Sequence, residues 1–129
     1  MAAVHFYDAN LTRLLSGPDG PVARDLARRA GRVESAAKLT ATGAPRVQTG
    51  RYRASINWRL GRDTRGLFAE IGSRVPYAYI LEFGSPPHII RARLKKALWW
   101  RGARHPVKSV RHPGTRAYLV LTRALRAAR

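Results

Sequence analysis

Beyond Glu82 the chain carries no acidic side chain. Residues 83–129 hold twelve Lys and Arg, whereas residues 1–82 hold thirteen bases together with all seven acids. A block this one-sided repels itself unless solvent ions or an acidic partner screen it. Nucleic acid is the first partner such a segment suggests, and an acidic protein surface the second. Part of the excess is compositional, because 21 of the 25 bases are Arg. The segment is still not a disordered basic tail: 45% of the 129 residues are apolar, enough to fill the core of one domain. We therefore expect a single domain over 1–129, with residues 1–20 an N-terminal helix and turn and residues 21–129 the main body.

The inventory narrows the chemistry. There is no Cys, which removes disulfides, a thiol nucleophile and Cys-ligated zinc. No apolar run reaches the roughly 18 residues of a membrane span, and the stretch before Leu11 lacks the basic-then-apolar order of a signal peptide. His5, His88, His105 and His112 show no i, i+4 helical pair, so no metal site is expected. No phosphate-binding glycine loop and no nucleophile elbow occurs. Glu70 and Glu82 are the acids nearest to expected core elements, and an ion pair with one of the many Arg is the expected role of Glu82. The reading is of a protein that is not an enzyme, with no cofactor, no small-molecule substrate and no membrane partner.

Periodicity gives the order of elements. A short helix over Asp8–Leu15 carries Leu11, Leu14 and Leu15, and the run Ser16 to Pro21 breaks it. Pro21 suits the first position of a second helix. Its apolar face is Val22, Leu26, Ala30, Val33 and Ala37, and it should stop before Thr42-Gly43. Ile56, Trp58 and Leu60 alternate with polar residues, as do Leu67, Ala69 and Ile71. Two antiparallel strands joined by a loop over Gly61–Gly66 are expected. A short helix follows Pro76 through Phe83, with Gly84 at its end. Extended pieces at Ala97–Arg101 and Val107–Arg111 come next. Thr115 would cap a last helix from Arg116, with Tyr118, Leu121 and Leu125 on one side and Arg123, Arg126 and Arg129 near its end. The fold class is α+β: a long N-terminal amphipathic helix packed on a mainly antiparallel sheet, with a short middle helix and a C-terminal helix.

The candidate contact surface lies in the basic half. Arg91, Arg93, Lys95, Lys96, Arg101, Arg104, Lys108 and Arg111 surround the pair Trp99-Trp100. Bases interleaved with aromatics can grip phosphates while the rings stack. No recognition helix is identifiable, so contact would be non-specific. In a strand, Trp99 and Trp100 would point to opposite faces, one inward and one exposed.

Four segments, in order, resemble one family. Pro45 to Ile56, with Thr49-Gly50, is similar to its "P-x-V-x-TG-x-L-x-x-SI" segment, Tyr52 replacing an aliphatic residue. Tyr77 to Ser85, with Glu82 and Gly84, resembles its "YA-x-x-x-E-x-G-[TS]" helix. Pro87 through Trp99 is similar to "PH-x-I-x-P … KAL-x-F", with Ala92 where proline is common. His112-Pro113-Gly114-Thr115 resembles "HPG-[TS]-x-x-x-P-F-L", with Leu119-Val120-Leu121 in place of Pro-Phe-Leu. The family is that of small neck and tail-component proteins of long-tailed bacteriophages, and the resemblance covers roughly residues 20–129. It implies a structural virion protein at the head–tail junction, assembled in the host cytoplasm as a ring, commonly a hexamer, around the DNA channel. It further implies adjacent neck or tail-tube proteins as partners, and a terminating, completing or connecting role. The other reading of the residues is a free, non-specific nucleic-acid-binding module. Gly50, Gly84, Gly114 and His112 are expected to serve the fold, and the loops at Pro86–Lys96 and around Arg104 to reach a neighbouring subunit or the channel.

Overall fold

Prolines and glycines set the boundaries of the helical half. The computed structural model describes residues 8–43 and 49–128. His5 and the N-terminal stretch, residues 45–48 of the segment ending in Thr49-Gly50, and Arg129 lie outside the described residues. Helix α1 spans Asp8–Ser16 and α2 spans Pro21–Gly43. Gly17 and Gly20 close the turn between them by donating to Arg13 O and Gly17 O. Pro21 opens α2 as expected, since a first-turn residue has no use for an N–H. The helix continues through Thr42 and Gly43 instead of stopping before them, Thr42 Oγ1 bonding back to Lys38 O at 2.9 Å. It buries Ala23, Ala30, Val33, Ala37 and Ala41, a stripe of small side chains that permits close approach. Val22 and Leu26, expected on that stripe, are half-buried at its flank.

Strands β1 (Ile56–Asp63) and β2 (Gly66–Ser73) pair antiparallel from Ile56↔Ser73 to Asp63↔Gly66. The expected six-residue loop is in fact the two-residue turn Thr64-Arg65. Asp63 is the cause: its Oδ1 accepts the Arg65 N–H at 2.8 Å, and that local bond closes the chain tightly. Ahead of β1 the chain makes one helical turn, α3 (Arg51–Ser55), which the alternation pattern of the sequence does not announce. Gly50 caps it in the left-handed region (φ 72°), and Thr49 Oγ1 accepts the Arg51 N–H at 3.3 Å.

Helix α4 (Ala78–Phe83) ends at Gly84 as expected but starts only at Ala78, with Tyr77 as its N-cap instead of Pro76 opening it. Next, β3 (His88–Arg91) and β4 (Ser109–His112) form a second antiparallel pair. Residues 88–91, expected in a loop, are thus a strand, and the extended piece expected at Ala97–Arg101 shrinks to a single bridge between Leu98 and Val107. The last helix, α5 (Val120–Ala127), begins four residues later than expected, because Thr115 is bridged to Ser85 and caps nothing. The α+β class stands: α2 lies across the β1–β2 hairpin and α5 packs against α2. The core they enclose is Val33, Ala37, Ala41, Tyr52, Ile56, Val75, Val120 and Ala124. Leu125, expected on the inner side of α5, is exposed.

Candidate assembly surface

The second strand pair grows from a clamp between α4 and α5. Glu82 is 6% exposed and meets no cation among the described residues. Its two oxygens instead accept the N–H groups of Leu121 and Thr122, each at 2.9 Å, and Thr122 Oγ1 at 2.7 Å. A carboxylate at a helix N-terminus satisfies donors that the helix itself leaves unpaired and opposes the positive end of its dipole. The expected ion pair is thereby corrected: Glu82 caps α5 from another helix. Backbone bonds run in the same direction, since Leu81 O and Glu82 O accept the N–H groups of Tyr118 and Leu119 at 2.9 and 3.2 Å. Leu119 enters α5 in the left-handed region (φ 52°, ψ 43°), a conformation costly for leucine and imposed here by the clamp on either side.

Ser85 and Thr115 extend the clamp by exchanging backbone bonds of 2.8 and 3.1 Å. The chains cross so closely that both glycines are obligatory. A Cβ on Gly84 (φ 78°) would stand 2.6 Å from Thr115 O, and one on Gly114 (φ 91°) would collide with Ser85 O. His112 Nδ1 accepts the Gly114 N–H at 3.1 Å, so this imidazole holds the turn around Pro113. The structural roles expected for Gly84, His112 and Gly114 are therefore specific contacts in one crossing.

From this root the β3–β4 ribbon leaves the body. Its contacts are overwhelmingly between its own two strands. Directly paired residues share a face. His88, His112, Ile90 and Val110 therefore lie on one side, the imidazole centroids 5.0 Å apart, and Ile89, Arg111, Arg91 and Ser109 on the other. Ala92 N–H donates to Lys108 O at 3.0 Å and adds a rung, and the Leu98–Val107 bridge closes the ladder. The tip of the ribbon is made of the bend before that bridge, with Arg93, Leu94, Lys95 and Lys96, and the turn beyond it, with Trp99, Trp100, Arg101 and Arg104. Because the two indoles follow the last bridge, neither turns inward: Trp99 is 66% and Trp100 47% exposed. Leu94 is fully exposed at 102%.

All eight candidate bases are exposed, and among the described residues none is ion-paired. The chain has little acid with which to answer them. Asp25 holds Arg28 and Arg29, Glu34 holds Lys38, Glu70 holds Arg59, and Glu82 is buried in the clamp. The arrangement can bind a polyanion or an acidic surface. Residue-by-residue reading missed Leu94 and the outer face of α4, where Tyr79, Ile80 and Phe83 are exposed. The signal was a gap in the charge pattern, since Glu82 is the only charged residue between Arg74 and Arg91.

Surface area gives a second measure of incompleteness. A compact monomer of 14.4 kDa exposes about 6,800 Å², whereas this chain exposes 10844 Å². Thirteen residues lie outside the description, and their mass sets an upper bound of about 2,100 Å² on any part they have in the difference. Roughly 1,900 Å² remains, close to the ~1,600 Å² that a subunit with two standard interfaces would cover.

A family model described as "Bacteriophage HK97-gp10, putative tail-component" matches residues 12–84, more than half of the chain. The match begins inside α1, ahead of the stretch the sequence resemblance covered, and stops at Gly84, before the ribbon. No curated protein and no solved structure matches the chain.

Proposed function

The chain belongs to the HK97-gp10-like family of bacteriophage tail components, and on that premise we propose that it is a ring-forming structural subunit at the head–tail junction. The observation that carries this reading is the ribbon. Two four-residue strands form a ladder too small to be stable unaided in water, yet they project from the body with apolar and basic side chains uncovered. Such an element fits a subunit that is completed by its neighbours.

The role is structural. The one buried side-chain carboxyl among the described residues spends its oxygens on the α5 backbone and Thr122, and the exposed bases act by charge. In a ring of six, the copy number the family resemblance implies, formal charge multiplies to about +108. Self-association cannot neutralise that charge, given how few acids are free. The bases therefore face phosphates of DNA in the channel, with acidic neighbours in the tail as the other source of counter-charge. Such a ring suits completion, termination or connection of the tail.

Light-scattering mass on a sizing column tests the reading, after nuclease treatment and in high salt. A discrete nucleic-acid-free oligomer, seen as a ring by electron microscopy, is the expected result. A monomer that binds DNA with steep salt dependence would favour a free nucleic-acid-binding module, the reading that the unpaired bases support second.

A further inference from the structure

We propose that subunits join head to tail, with the ribbon tip of one subunit (Leu94, Trp99 and Trp100) seated on the outer face of α4 of a second copy. The inference rests on the ring reading and specifies its contact. Both surfaces are apolar and uncovered. Tyr79 is 69% and Phe83 60% exposed, and their rings meet at a tilt of 47° with centroids 4.9 Å apart. The ribbon does not fold back onto its own α4, since both stay exposed in the same subunit.

Charge selects the receiving face. Bases make up 25 of the 129 residues, so most of the surface repels a tip carrying Arg93, Lys95, Lys96, Arg101 and Arg104. Residues 75–90 have no Lys or Arg, and their one charged side chain, Glu82, is buried. On the Tyr79–Phe83 pair the indoles gain ring-to-ring contact, and tip bases lying over the rings gain cation–π attraction in place of repulsion. Tip and face are different surfaces, so the contact is heterologous: each subunit offers one of each, and the chain of contacts closes into a ring when the rotation permits. The roughly 1,900 Å² of surplus surface suits two such faces of about 800 Å² each.

Two variants test this by complementation. Phe83→Arg spoils the receiving face, and the double substitution Leu94→Asp with Trp99→Ala spoils the tip. Each alters exposed side chains, and thermal unfolding matching the wild type verifies the fold. Should Phe83→Arg fail to fold, Tyr79→Arg replaces it. By light scattering in high salt, the wild type is expected to form the discrete oligomer and each variant to fall to the mass of one chain. An equimolar mixture is expected to give a 1:1 heterodimer and nothing larger, because only one tip–face pair remains intact. Variants that assemble like the wild type, or a mixture that stays monomeric, would overturn the proposed contact while leaving the ring standing. A wild type that stays monomeric at its highest soluble concentration would overturn both.

Discussion

At the scale of single residues, two buried polar groups are in opposite states of satisfaction. Glu82 has three hydrogen-bond donors on its carboxyl, whereas the Tyr52 hydroxyl is buried with no partner among the described residues. Glu82→Gln puts an amide donor against a backbone N–H, and loss of about 2 kcal/mol is expected in chemical denaturation at neutral pH. Tyr52→Phe removes only the orphan hydroxyl and should leave stability unchanged or raise it by about 1 kcal/mol. The pair also sets a pH response. Burial, reinforced by the negative charge of Glu82, pushes the Tyr52 phenol up from the usual 10.0 to about 12. The unfolded phenol ionises first, so its contribution to stability is intact below pH 10 and is lost as pH rises through about 12. Denaturation of both proteins at pH 8 and pH 11 checks this: the alkaline loss should be smaller in Tyr52→Phe.

Elements differ in how much of them could be read from neighbouring residues. Pro21 fixed the start of α2 and Gly84 the end of α4, because each acts through its own backbone. The β1–β2 strands were legible in their alternation, but the hairpin turn was not, since it depends on the Asp63 carboxyl bonding two residues ahead. Least legible was the ribbon. His88–Arg91 lies in a stretch punctuated by Pro86-Pro87, and its strand character comes from pairing with Ser109–His112. That independence from the core predicts a separable element. Replacing residues 93–107 by Asn-Gly, which favours the tight turn of a two-residue hairpin, leaves every residue of the core in place. Stability should change by less than about 1 kcal/mol, while assembly should be abolished. Unfolding curves and light scattering on the same sample check the two halves of this expectation.

For the whole molecule, charge segregation and surplus surface support the same proposal, a subunit covered by its neighbours and facing a polyanion. If DNA phosphates are that polyanion, affinity should fall steeply with salt. The fourfold variant Lys95→Ala, Lys96→Ala, Arg101→Ala, Arg104→Ala should lower the slope of log affinity against log salt by up to about 3.6, at about 0.9 per lost phosphate contact. Titrations of labelled duplex DNA at several salt concentrations measure it, and an unchanged slope would leave acidic protein as the partner of those bases. The sequence by itself determined the α+β class, the helix boundaries set by proline and glycine, and the acid-free half beyond Glu82. Those properties depend on the residue itself or on neighbours a few positions away. Only the tertiary structure decided that Glu82 caps a helix 39 and 40 positions further along the chain, that Leu119 turns left-handed, and that both tryptophans face outward. Each of these depends on which distant backbone group is brought to hand, and spacing along the chain does not encode that.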